Sequence, residues 1–193
     1  MANEIKYILS LSVSKNGAKL TREESNSVDM SGESLVHQIQ NIGTTPEDIN
    51  QLTELGTSGY LYVKNLHSSN YVLLGTKNYK LAYDGQSGNY TNGLKVTGGT
   101  SGATGWIVYD DDGGATGTLV LTDVSGTFQN DETLTDSSSG SATINGTISD
   151  GKPSFFCKIK AGESVILRTS GNDDLMAMGN SSACDIEYII VED

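Results

Sequence analysis

The chain has 193 residues, with 12 Lys and Arg against 24 Asp and Glu, two His, two Cys, 36% apolar and 7% aromatic residues. That length suits one elaborated domain or two small ones, and it buries enough surface to fold without a metal or a disulfide. A net charge of −12 argues against a nucleic-acid binder, because phosphate neutralisation needs clustered Lys and Arg, and it disfavours an anionic membrane surface.

No apolar run approaches the roughly 20 residues of a membrane span. Met1-Ala2-Asn3-Glu4 lacks a basic n-region, so export by a signal peptide is not expected. Cys157 and Cys184 lie in strand-like runs. A disulfide between them is open, with buried free thiols the favoured expectation in a reducing compartment. Three Asn-x-Ser/Thr sequons, at Asn89, Asn145 and Asn180, carry little meaning without export.

From Ile5 to Ser14, Ile5, Tyr7, Leu9, Leu11 and Val13 alternate with Lys6, Ile8, Ser10, Ser12 and Ser14, the period-two signature of a strand with one buried face. Asn16-Gly17 predicts a hairpin turn into a partner strand over Ala18–Arg22. Glu33–Ile42 reads as a strand, although its pattern also fits a short helix. Thr45-Pro46-Glu47-Asp48 places a capping hydroxyl, a proline and first-turn acids together, which predicts one or two helical turns through Leu52.

Gly59–Leu66 and Tyr71–Gly75, rich in β-branched and aromatic residues, flank the polar turn His67-Ser68-Ser69-Asn70 and predict a hairpin. Further short strands are expected at Phe155–Lys160, Ser164–Arg168, Leu175–Met178 and Asp185–Val191. Between these halves the composition changes. Residues 85–151 hold 14 of the 23 glycines, eight acids and a single base, Lys95. Two similar stretches, Gly99–Ile107 and Ser138–Gly146, share a Ser-Gly-x-Ala/Thr core, and Trp106, Val108, Leu119, Leu121, Phe128 and Ile144 are periodic core candidates.

The chain therefore reads as all-β: a β-sandwich, jelly-roll-like, built from residues 1–84 and 152–193, with residues 85–151 as a small Gly-rich acidic β module inserted in a surface loop and projecting outward.

The search for chemistry nominates no catalytic, cofactor-binding or metal-ligating residue. Ser12-Val13-Ser14-Lys15 matches S-x-x-K but lies in a strand pattern without partner motifs. His37 and His67 stand in unlike settings, one expected at the surface and one packed. Asp110-Asp111-Asp112-Gly113-Gly114 lacks the spacing of a calcium loop and reads as a hairpin tip, as does Asp173-Asp174. Trp106 is expected in the core ahead of a sugar platform.

The runs Gly59–Leu66 with Asn70-Tyr71-Val72, Ile159–Arg168 and Ala183–Glu192 resemble small virion structural proteins of tailed bacteriophages. The Gly-Thr-Ser-Gly-Ala-Thr-Gly stretch is similar to repeats of phage structural and fibre-type proteins. The resemblance implies a non-enzymatic protein on the outer surface of the head, assembled in the host cytoplasm, that decorates or cements the capsid by binding the major capsid protein and forms a homo-oligomer. The alternatives are a tail or neck protein, or a receptor- or carbohydrate-binding module with exposed aromatics around Trp106, Tyr109 and Tyr90.

Overall fold

The computed structural model describes residues 4–50, 55–169 and 174–193. These residues form strands and no helix, so the fold is all-β. β1 (Glu4–Lys15) and β2 (Ala18–Asp29) pair along their whole length. Asn16 and Gly17 turn the chain with φ of 51° and 83°, the two positive values that a type I′ turn requires and that Asn-Gly supplies with little strain. The partner strand thus runs past Arg22 to Asp29.

Four strands follow: β3 (Leu35–Ile42), β4 (Glu47–Asp48), β5 (Ser58–Asn65) and β6 (Val72–Thr76). The middle of the chain holds β7 (Tyr79–Gly88), β8 (Lys95–Gly98), β9 (Thr104–Asp112), β10 (Gly117–Ser125), β11 (Thr133–Asp136), β12 (Ser141–Ile144) and β13 (Ser149–Asp150). The chain closes with β14 (Ser154–Ile159), β15 (Ser164–Arg168), β16 (Leu175–Gly179) and β17 (Cys184–Glu192).

Eight of these strands make two four-stranded antiparallel sheets, in the orders β14-β6-β16-β4 and β15-β5-β17-β3. Alternate residues of both sheets enter one hydrophobic cluster, among them Leu61, Val63, Val72, Leu74, Ile186 and Ile190, all at 0% exposure. Each such side chain taken from water contributes roughly 1.5–3 kcal/mol. Cys157 and Cys184 belong to this cluster as free thiols.

Two local expectations give way here. Gly59–Gly75 is not a hairpin: β5 lies between β15 and β17, β6 lies between β14 and β16, and the intervening residues arch from one sheet to the other. The buried Asn65 side chain donates to the Asn70 carbonyl at 2.8 Å and accepts the His67 amide at 2.9 Å. These bonds bend the chain across the core, and each strand finds its ladder with distant partners. The helix expected over Thr45–Leu52 is absent among the described residues, with 51–54 outside them. Glu47 and Asp48 pair instead with Ala177 and Met176 as an edge strand, and the Glu47 carboxylate accepts the Gly43 amide at 3.0 Å. A backbone committed to a sheet edge has no helical ladder to join.

The middle strands close into a six-stranded barrel, β7-β10-β9-β8-β11-β12 and back to β7, with β13 added on β7. Its first strand starts at Tyr79, ahead of the composition change at Gly85. The two similar sequence stretches carry the loops of two hairpins, β8-β9 and β11-β12, which lie side by side through β8–β11 pairing. A second hydrophobic cluster fills the interior, with Leu119, Leu121, Phe128 and Ile144 buried as expected.

Trp106 and Val108 are not core residues. They stand on the outside at 41% and 40% exposure, and Ile107 takes the inward phase. A Cβ on the inward Gly105 would meet Leu121 at 3.3 Å, so the inward position before Ile107 has no room for an indole. A bulge between Val120 and Leu121 then shifts the phase, so that Val108 and Tyr109 both face out.

Glu132 ties the two hairpins together. Its buried carboxylate accepts the amides of Gln129 at 2.7 Å, Ser101 at 2.8 Å and Thr100 at 2.9 Å, and the Ser101 hydroxyl at 2.8 Å. Burial works against its charge, but these donors outweigh it and hold the group at about 2. Glu132→Gln is expected to cost about 2–3 kcal/mol at pH 7, read by urea unfolding followed at the sole tryptophan, Trp106. Because the folded value lies below the ordinary 4.5, that difference is complete above about pH 5 and shrinks as the pH falls toward 2.

Candidate interaction surface

The polar groups singled out from the sequence do not converge. Ser12 and Lys15 lie on exposed β1. His37 stands on the outer side of β3, 2.9 Å from the Glu187 carboxylate, whereas half-buried His67 accepts the Ser69 and Asn70 amides at Nδ1, at 3.0 and 2.9 Å. Accepting two amides at Nδ1 fixes the ring as a turn brace. Asp110 accepts the Tyr83 hydroxyl at 2.8 Å, with burial raising its pKa, and Asp112 accepts the Gly114 amide at the β9-β10 tip. Asp174 accepts from Tyr79, and Asp173 lies outside the described residues. Among the described residues, no group of three or more His, Cys, Asp or Glu side chains is placed to hold a metal ion.

An open depression of about 790 Å³ is lined by polar groups already engaged: Lys77 pairs with Asp150 at 3.1 Å, and Gln40 bonds the Asp48 carbonyl and the Asn50 amide. Tyr90 is buried and donates to the Leu134 carbonyl at 2.9 Å, so of the three aromatics that the binding-module alternative places at the surface, Trp106 and Tyr109 are exposed and Tyr90 is not.

What the structure leaves without a partner is apolar surface. The β1-β2 ribbon has strands of 12 residues, about 40 Å at roughly 3.3 Å per residue. Directly opposed residues of an antiparallel pair share a face. One face therefore carries Ile5, Tyr7, Leu9, Leu11 and Val13 of β1 with Leu20 and Val28 of β2, while the other carries mostly Ser, Thr, Lys and Glu, with Ile8 as its apolar member. Leu9, Leu11, Val13 and Leu20 are 63%, 52%, 42% and 55% exposed. An isolated two-stranded ribbon is marginal in water, and this one adds a solvated apolar stripe.

A second apolar area lies on the outer side of the β15-β5-β17-β3 sheet. Cross-strand register sets Leu35, Val191 and Tyr60 in one row with Arg168, and His37, Ile189, Tyr62 and Ile166 in the next. Leu35, Ile39 and Ile166 are exposed. The root of the ribbon meets this face: the Tyr7 and Tyr60 rings lie 6.4 Å apart, and a groove of about 220 Å³ opens between Ile5, Tyr7, Tyr62, Ile166, Ile189 and Val191. Past Tyr7 every residue of β1 is exposed.

Glu192 fixes that root. Its carboxylate accepts the amides of Ser34 at 3.0 Å and of Glu33 and Gly56 at 3.1 Å, and these donors, Ser34 foremost, hold its pKa below the usual value. Met30, just after β2, is buried. The sequence carried a signal for this surface that the alternation of β1 alone hides: the residues facing Leu9 and Leu11 are Glu24 and Arg22, which no core accepts.

No known protein family, curated protein or solved structure matches this chain.

Glu192→Ala is expected to speed amide hydrogen exchange at Glu33, Ser34 and Gly56, read by mass spectrometry or NMR. The wild-type protein should lose the same protection as the pH falls below about 4.5, since a carboxylate with a depressed pKa holds its donors above that pH and releases them on protonation.

Proposed function

We propose that the chain is a non-enzymatic structural protein of a tailed-phage virion that decorates or cements the head by binding the major capsid protein. The observation that carries this reading is the strand order. Four strand pairs cross between the two sheets, β3-β4, β5-β6, β14-β15 and β16-β17, and both sheets place these pairs in the order first, fourth, second, third. This order supports a jelly-roll reading of the two sheets, an architecture used in viral capsid and lectin domains. In this reading the jelly roll and the β1-β2 ribbon dock, and the acidic barrel is the outward module.

Head decoration predicts on the order of hundreds of copies per particle, against roughly six or twelve for a tail or neck ring. Quantitative mass spectrometry of purified particles, with the chain located by cryo-EM, separates the two, and its absence from particles refutes both. A second reading has one observation in its favour: exposed Trp106, with the Lys95 ammonium 6.0 Å from its ring centroid, offers a stacking surface of the kind sugars use. Glycan-array binding lost in Trp106→Ala would support that reading, and the absence of binding by the wild-type protein would remove it.

The modular division has its own test. Thr76 of β6 and Ser154 of β14 are direct ladder partners, and the Gly151 amide donates to the Asn78 carbonyl at 2.7 Å, so the inserted barrel enters and leaves the jelly roll at adjacent points. Replacing residues 78–152 with an Asn-Gly turn is expected to leave a soluble protein with a cooperative melt and β-type circular dichroism, because the excision closes β6 and β14 as a hairpin.

A further inference from the structure

We infer that the apolar face of the β1-β2 ribbon is covered by a second copy of this chain, lying on the outer side of that copy's β15-β5-β17-β3 sheet in a reciprocal arm exchange. The inference rests on the adhesive role proposed above, but not on a virion location.

Three observations support it. The first is that donor and acceptor are both present on every chain: a stripe of Leu9, Leu11, Val13 and Leu20 with no cover among the described residues, and a sheet face with Ile39, Ile166 and Leu35 exposed around half-buried Tyr62 and Ile189. The root of each ribbon already seats Ile5 and Tyr7 beside that face, so the apolar surface is continuous from sheet to ribbon. A two-fold pair, with each stripe on the other's sheet, covers both surfaces with one contact type.

Size is the second. The free part of the ribbon, Leu9 to Lys15, is about 23 Å long and about 10 Å wide and covers roughly 230 Å². Counting both partners and both arms gives about 900 Å², the size of a reversible, low-affinity complex. From Leu9 to Lys15 the free part runs about 23 Å, close to the roughly 19 Å breadth of four strands.

Charge is the third. The chain carries −12, yet on the ribbon Lys6, Lys15, Lys19 and Arg22 balance Glu4, Glu23, Glu24 and Asp29. The ribbon is thus a neutral segment that a second copy of so acidic a chain does not repel. On its apolar face Arg22 and Glu24 stand beside the leucines, and the receiving face offers Glu187 and Lys64 as neighbours in register. Charges of both signs on both faces select one orientation.

The test uses the full chain in sedimentation equilibrium. The wild type is expected to be a reversible dimer, and a larger closed ring would overturn the reciprocal exchange. Two variants, Leu9→Ser/Leu11→Ser/Val13→Ser on the ribbon and Ile39→Ser/Ile166→Ser on the sheet, should each weaken assembly by about 100-fold or more. All five positions lie outside both buried clusters, so near-ultraviolet circular dichroism and Trp106 fluorescence should be unchanged. Mixing differently tagged chains, one Leu11→Cys and the other Ile166→Cys, should give a mixed disulfide that neither gives alone.

A wild type that stays monomeric at about 100 μM overturns the inference. So does assembly that depends on the ribbon and ignores the sheet substitutions, which would mean that ribbons pair with each other, and so does failure of the mixed cross-link. A chain found on particles but monomeric overturns the exchange and leaves the virion reading standing. One that dimerises through these faces but is missing from particles does the reverse.

Discussion

The fold outside the barrel depends on carrying a backbone across a dry core without leaving its polar groups unpaired, and Asn65 is where that is done. Its amide donates to the Glu163 carbonyl and its carbonyl accepts the Gly162 amide, both at 3.0 Å. The side chain, at 0% exposure, donates to the Asn70 and Ile159 carbonyls and accepts the His67 amide. One buried residue therefore links the β5-β6 arch to the β14-β15 arch, and Asn70 passes the link on to Ser182 at 2.5 Å in the β16-β17 arch. Losing the Asn65 side-chain amide would strand the buried Ile159 carbonyl, at a cost of about 1–3 kcal/mol, and release the part-buried Asn70 carbonyl. Three crossings far apart in sequence behave as one corner.

That corner explains which parts of the fold were legible in the sequence. Period-two alternation located β1, β5, β17 and, in the barrel, β9, β10 and β12, because it reports only that one side of a strand is dry; β7, β8 and β11 were not located. It does not report which strand lies alongside. Gly59–Gly75 looks like a hairpin for this reason: a polar turn between two apolar strands is common to hairpins and arches, and what separates them is an asparagine bonded to Ile159, 94 positions away. Thr45–Asp48 failed in the same way, since the backbone partner that overrode its helix signature is β16. In β9 the phase error came from one residue, as Gly105 and the neighbouring bulge put Ile107 inside and Trp106 outside.

The interaction surface was half legible. The alternation of Ile5 to Val13 predicts a face that avoids water, and the structure supplies that face without supplying the cover. Alternation does not distinguish a neighbour in the same chain from one in another, because the pattern that buries a strand in a core also buries it in an interface. The polar character of β2 is the distinguishing feature: a core hairpin presents apolar residues on both strands of its inner face, and here Glu24 and Arg22 sit opposite leucines.

The two halves of the molecule solve the problem of exposed strand edges in opposite ways, and this bears on how an assembly would use them. Closing β12 onto β7 leaves the barrel with no free edge apart from the short β13 addition, and nine acids against two bases between Tyr79 and Asp150 add repulsion between neighbouring copies. The ribbon keeps both its edges open, is electrically neutral and presents leucine to solvent. Because the barrel joins the sheets between paired residues, Thr76 and Ser154, its presence does not disturb the register of the strands that carry the adhesive face. An assembly built through ribbon and sheet can therefore carry the barrel on every copy without asking it to stick, and changes in the barrel's surface would alter what the assembly displays while leaving its cohesion to the residues around Leu11 and Tyr62.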